Sequence, residues 1–239
     1  MVNKILSDVK HRPYDMPNTA WSYYQEWNHA VFVHYEVPME LLRGLVPQRL
    51  HIDSYEGKCY ISVVAFTMQK IRPAYFPAIS LVSDFHEINV RTYVDSDGKK
   101  GVYFLNIEAE KELSAFVARS LSKLPYEKAV IRRGDYHYQS KNSAKKFELD
   151  VKYKVLDEIA SKTPLDLWLT ERYCLYLNEG ASLYRYDIHH AEWVLNKIDI
   201  QELNLKYKFG GIDLIPQPYQ AVHYSPGVKV VAWGKQRVR

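Results

Sequence analysis

Apolar and polar positions along this chain follow the short periods of strands more often than the longer period of helices. Residues 29–36, HAVFVHYE, predict a strand, and so does the run from Cys59 to Met68. Apolar residues fall on both faces in the second half of that run, the pattern of a strand covered on both sides. Between the two, Pro38 suits the first position of a short helix and Pro47 stops it. DFHEINVRTYV (84–94), a turn at Asp97-Gly98 and GVYFLNIE (101–108) predict an antiparallel hairpin with a loop longer than the ideal two residues. Glu112 to Lys123 sets Leu113, Phe116, Val117 and Leu121 on one helical face, and Leu124-Pro125 ends that helix. Tyr126–Gln139 and Phe147–Leu156 read as strands joined by a polar turn, KNSAKK (141–146). Thr163-Pro164 opens a further helix, with an N-cap Thr, Pro at the first position and Asp166 in the first turn. Glu171–Asn178, Ser182–His190 and Val228–Trp233 complete the strands. The expected class is α+β: a curved antiparallel sheet or barrel with a few short helices.

Composition narrows this picture. The chain has 239 residues, 47% hydrophobic and 25% charged, an ordinary globular balance with enough length for a core that needs no metal or disulfide. No repeat or linker divides it, so one domain over 1–239 is the simplest organisation. No apolar run approaches the ~18 residues of a membrane helix, and the first residues, MVNKILSDVK, lack the apolar centre of a signal peptide. Cys59 and Cys174 stand far apart, as buried free thiols of a cytoplasmic protein would. The net charge is +4, and the stretch 123–154 alone carries nine Lys/Arg against four Asp/Glu. Charges that alternate faces and turn lysines make that stretch a poor nucleic-acid surface, so no nucleic-acid partner is expected.

The strand 84–94 holds the candidate chemistry. Ile88, Val90 and Val94 share one face; Glu87, Asn89, Arg91 and Tyr93 share the other. On an outer sheet face, that second line would be a solvated ladder. Inside a curved sheet it would be a polar pocket wall, with Arg91 gripping a carboxylate and Glu87 moving a proton. Glu171 and Arg172 follow a helix, at a junction where side chains either reach a cavity or pin the junction as an ion pair. His189-His190 point to opposite faces of a strand, and no HExxH or cysteine cluster accompanies them, so no metal is expected. Gly-rich phosphate loops and a G-x-S-x-G elbow are absent from the sequence.

Several segments in order, NHAVFVHYEVPMELLRGLVPQRLHID (28–53), HEINVRTYV (86–94), GVYFLNIEA (101–109), ARSLSKLPYEKA (118–129), LTERYCLY (169–176) and HHAEW (189–193), resemble the acetoacetate decarboxylase-like superfamily. The closer resemblance is to its YqjF-like family of uncharacterised bacterial proteins. That resemblance implies the superfamily fold, an internal pocket and homo-oligomers. The decarboxylases of the superfamily place two lysines after the proline that corresponds to Pro125, one forming a Schiff base and the other lowering its pKa. Here Tyr126 and Glu127 stand in those places, and Lys128, sharing a strand face with Tyr126, comes two residues later. A phenol forms no imine. The expected function is therefore a pocket for a small oxygenated or carboxylated molecule, either a lyase-like enzyme without the Schiff-base lysine or a non-catalytic binding or sensing module. Glu87, Asn89, Arg91 and Tyr93 form its expected wall, with Tyr126, Lys128, Glu171 and Arg172 as further candidates and no cofactor.

Overall fold

A computed structural model describes residues 2–110, 126–214 and 218–238. Its strands are β1 (Tyr23–Val37), β2 (His51–Ile52), β3 (Cys59–Pro73), β4 (Phe85–Ser96), β5 (Lys99–Ala109), β6 (Tyr126–Lys128), β7 (Val130–Gly134) and β8 (His137–Asn142). They continue as β9 (Phe147–Glu158), β10 (Cys174–Glu179), β11 (Ser182–His190), β12 (Asn196–Lys206), β13 (Lys208–Phe209), β14 (Ile212–Asp213), β15 (Ala221–Ala232) and β16 (Gln236–Arg237). The helices are short: α1 (Val2–Ser7), α2 (Met39–Arg43), α3 (Ser80–Ser83) and α4 (Pro164–Thr170). The amphipathic helix expected over 112–123 lies outside the described residues.

One large sheet runs β16-β11-β10-β5-β4-β3-β1-β15-β12-β9-β8-β7. It is a curved sheet rather than a closed barrel, since β11 meets β15 over only three residue pairs, Ile188 to His190 against Ala232 to Val230. It is mixed, not wholly antiparallel: β5 has the parallel neighbours β10 and β6. The β4–β5 hairpin is tighter than its sequence suggested. Ser96 pairs with Lys99, and the two residues between them, Asp97 (φ 54°) and Gly98 (φ 76°), take the left-handed conformations of a tight hairpin turn. Tyr126–Gln139, expected as one strand, is three, broken at Ala129 and at Asp135-Tyr136, where Tyr136 turns at φ 58°.

The alternation of side chains divides the interior. Val31, Val33, Ile61, Val63, Ala65, Ile88 and Val90 face one apolar cluster, closed by Ile131, Tyr138, Leu149 and Val151 of β7–β9. Ala30, Phe32, Val64, Phe66 and Phe85 face a second cluster, closed by Leu177, Tyr186, Ile188 and Trp193. The odd-numbered polar residues of β4 look toward this second side. At its edge α4 is fixed by a capping box, in which Thr163 Oγ1 accepts from the Asp166 N–H and the Asp166 carboxylate accepts from the Thr163 N–H. No helix of the described residues is long and apolar enough to cross a membrane.

Candidate functional site

The second cluster encloses a cavity of about 110 Å³. Most of its wall is aromatic or aliphatic: Trp27, Phe32, Phe66, Phe104, Leu175, Ile188 and Trp193 are typical. Into this apolar space project Glu87, Asn89 and Arg91 from β4, Tyr126 from β6, Arg172 from the turn after α4, and His190 from the end of β11. The register explains the convergence. Glu87 and Asn89 lie opposite the apolar Phe66 and Val64 of β3, and Arg91 lies opposite Ser62. Ile107 of β5 pairs with both Asn89 and Tyr126, which sets the phenol beside the β4 row.

Arg91 is the least compensated group. Its residue is 8% exposed, and its Nε and Nη2 have no hydrogen-bond partner among the described residues. No carboxylate among the described residues forms an ion pair with it. Its neighbours are the face of Phe32, with the guanidinium 5.8 Å from the ring centroid, the Tyr93 side chain, which favours the charge, and the positive field of Arg172, which opposes it. Burial pushes its pKa down and Arg172 pushes the same way, but an arginine keeps its proton in proteins. Arg91 is thus a buried cation with two nitrogens that meet no acceptor among the described residues.

Glu87 is as deeply buried, 3% exposed, but its oxygens are engaged. Tyr126 Oη donates to Oε2 at 2.9 Å, and Asn89 Nδ2 donates to Oε1 at 3.3 Å. Desolvation outweighs both hydrogen bonds and raises the carboxyl pKa to about 7. Near neutrality Glu87 therefore exists in both protonation states. Asn89 Oδ1, like the two Arg91 nitrogens, has no partner among the described residues.

Arg172 lies with its guanidinium carbon 4.3 Å from the Trp168 ring centroid and 4.7 Å from that of Tyr93. Its Nη1 donates to Asp53 Oδ2 at 2.6 Å and its Nε to the Trp168 carbonyl at 2.9 Å, while Nη2 has no partner among the described residues. Glu171 and Arg172 do not pair with each other. Glu171 stands beyond the cavity wall, accepting from the Tyr173 hydroxyl and from the Trp193 N–H. Tyr93 belongs to the β4 row by alternation but does not line the cavity. It sits under Arg172, and its hydroxyl donates to the Leu169 carbonyl at 2.8 Å. Lys128 does not line it either. Three-residue β6 ends there, opposite Ala109, and the side chain is exposed. Of the two residues in the places of the superfamily's lysines, Tyr126 faces the cavity. Glu127 faces away, toward Asn142 and Lys145. No lysine is among the described residues that line the cavity.

Three groups escaped sequence reasoning. Asp53, just beyond a two-residue strand, gave no sign that it would meet a residue so far along the chain. Trp193 follows the last regular residues of β11 and looks like ordinary core. Nothing in the sequence distinguishes His190 from its neighbour, and both members of His189-His190 lie against carbonyl oxygens, of Ile5 and Ala191 respectively. Yet His190 also lines the cavity, with Nε2 unpartnered among the described residues; burial lowers its pKa to about 4, so the ring is neutral at pH 7.

Comparison with known proteins places this geometry in context. The family model DUF2071, uncharacterized conserved proteins, matches residues 24–229. Uncharacterized protein YqjF of Bacillus subtilis (strain 168) is 35% identical over 227 residues, covering 91% of this chain and 93% of that protein. Among solved structures, the enduracididine biosynthesis enzyme MppR, complexed with the condensation product of pyruvate and imidazole 4-carboxaldehyde, superposes with a TM-score of 0.62 at 12% identity, over 92% of this chain and 90% of that one. Acetoacetate decarboxylase from Legionella pneumophila gives a TM-score of 0.59 at 13% identity, over 97% and 95%. At such identities these two structures establish the fold and not a reaction. Sequence match and superposition agree with the motifs read from the chain: it belongs to the DUF2071 family and has the acetoacetate decarboxylase-like fold.

Proposed function

We propose that the cavity binds a small oxo acid, its carboxylate on Arg91, and that Glu87 moves a proton next to its carbonyl group without any lysine imine. The observation that carries this is the buried guanidinium of Arg91, whose Nε and Nη2 lack partners among the described residues in an otherwise apolar cavity. A buried cation without a counter-ion is unfavourable, and a bidentate carboxylate is the ligand whose geometry matches its planar fork. Arg172 adds positive charge, and MppR, which shares the fold, has been solved complexed with pyruvate.

Glu87 suits the second role. As the carboxylate it takes a proton from the carbon beside the ligand carbonyl; the C–H electron pair moves to the carbonyl oxygen, and the enolate forms near Arg91 and Arg172. As the acid it returns a proton to that carbon. Tyr126 and Asn89 hold the carboxyl in place through both steps.

Pyruvate and acetoacetate titrated calorimetrically should bind the wild-type protein, and Arg91→Met should abolish binding. Pyruvate kept with the protein in D₂O should exchange its methyl protons, and Glu87→Gln should stop the exchange. Binding without exchange would reduce the proposal to a ligand-binding or sensing module. Failure of both acids to bind would remove it.

A further inference from the structure

Behind the cavity, five contacts join six groups in single file. Asp166 Oδ1 lies 2.8 Å from His223 Nε2, and His223 Nδ1 lies 3.2 Å from His34 Nε2. His34 Nδ1 lies 2.6 Å from Ser62 Oγ, which lies 2.5 Å from Tyr93 Oη. Tyr93 then donates to the Leu169 carbonyl. The file starts on α4, passes through β15, β1, β3 and β4, and returns to α4. His34, Ser62 and Tyr93 are fully buried and His223 nearly so, while Asp166 keeps 15% of its side chain exposed and forms the end open to solvent.

Protons along this file can be counted. A carboxylate and a carbonyl only accept, and each of the four groups between them carries one mobile proton when neutral. Five contacts need five protons, and the neutral file has four. The deficit has a location. With Tyr93 donating to Leu169, Ser62 donates to Tyr93 and His34 Nδ1 donates to Ser62, which leaves His34 Nε2 bare. From the other end His223 Nε2 donates to Asp166, which leaves His223 Nδ1 bare. Two bare nitrogens would then face each other at 3.2 Å. Turning His34, Ser62 and Tyr93 round relieves them by taking Tyr93 from the Leu169 carbonyl, and turning His223 round relieves them by leaving its Nε2 bare against the Asp166 carboxylate.

We propose that His34 and His223 together bind one additional proton, as an imidazolium–imidazole hydrogen bond whose counter-ion is Asp166. Uptake completes all five hydrogen bonds, the donors running outward from the protonated ring to Asp166 at one end and to the Leu169 carbonyl at the other, and ties the last turn of α4, next to Arg172, to β4. Among the described residues, the charged and titratable groups acting on the pair are Asp166 on α4 and Arg91 and Tyr93 on β4. Burial and Arg91 oppose the charge more than Asp166 favours it, so uptake falls below the ordinary histidine range. Because Arg91 opposes it, an anion on Arg91 strengthens it. By reciprocity, protonation of the pair then strengthens anion binding. This coupling rests on the anion reading of the cavity; the proton site itself does not.

The test is a pH titration of ¹⁵N-histidine-labelled full-length protein by NMR. One of the two rings should acquire protons on both nitrogens above the acid unfolding transition, and Asp166→Asn, which can still cap α4, should lower that midpoint by more than one pH unit. If both rings stay neutral until the protein unfolds, or if Asp166→Asn leaves the midpoint unchanged, the proposal fails. Pyruvate should raise the midpoint in wild type and not in Arg91→Met. If pyruvate moves no resonance at all, the anion reading fails, and the ligand-free titration alone decides the proton site.

Discussion

Arg172 donates to Asp53 Oδ2 at 2.6 Å, both side chains buried, and Lys100 reaches the other oxygen of the same carboxylate at 2.9 Å. One of the two guanidinium groups that meet the cavity therefore has a fixed counter-ion, and the other has none among the described residues. Asp53→Ala would strand Arg172 as an unpaired buried cation. The expected loss is about 3 kcal/mol, read as a lowered urea midpoint, and the cavity should lose its orientation of Arg172 as well.

Arg91 should respond in the opposite sense. No carboxylate among the described residues depends on it, so Arg91→Met removes a buried charge and fills the space with an unbranched apolar chain. The ligand-free variant should be more stable than wild type by about 1 kcal/mol, visible as a raised Tm. Arg91→Lys should fold but bind pyruvate at least tenfold more weakly, having lost the planar fork. A large destabilisation by Arg91→Met would reveal an acid partner.

Glu87 makes stability depend on pH. An acid whose folded pKa is raised to about 7 binds more protons folded than unfolded between roughly pH 4.5 and 7. Stability should therefore fall as pH rises through that window and level off above it. The full effect is on the order of 3 kcal/mol. Glu87→Gln should remove it, so that the urea midpoints of variant and wild type diverge between pH 5 and pH 8, with the variant relatively more stable at pH 8.

Imine chemistry should be absent. Acetoacetate followed by borohydride should leave the mass of the protein unchanged, because Tyr126 occupies the cavity and Lys128 is exposed. A reduced adduct mapped to any lysine would overturn the assignment of Glu87 as the proton carrier.

The polar face of β4 was legible because period-two alternation needs only neighbouring residues, and so was the start of α4, because Thr163, Pro164 and Asp166 are consecutive local signals. The Asp97-Gly98 turn was recognised but its length was not, since Lys99 and Lys100 look like loop residues until they pair with Ser96 and Asp95. β12 went unnoticed because much of its length is exposed and its apolar residues are interrupted by charges. The partner of Arg172 was hidden for a different reason: ion pairs across a sheet depend on which strands become neighbours. The same holds for His34 and His223, separated by most of the chain.

β5 carries two parallel neighbours, β10 and β6, along the edge opposite β4, and this governs the order in which the molecule can form. The β4–β5 hairpin closes over two residues and is available early. The β5–β10 pairing must bring Val102 to Leu175 through a long crossover, a slow step because chain entropy is lost before contacts compensate for it. The cavity needs β10, β11 and Trp193 as well as β4, so its polar wall exists as an open, hydrated strip until late in folding. Arg91 and Glu87 are thus desolvated only when the last strands dock, and their unfavourable burial falls on the final steps of folding rather than on the nucleus.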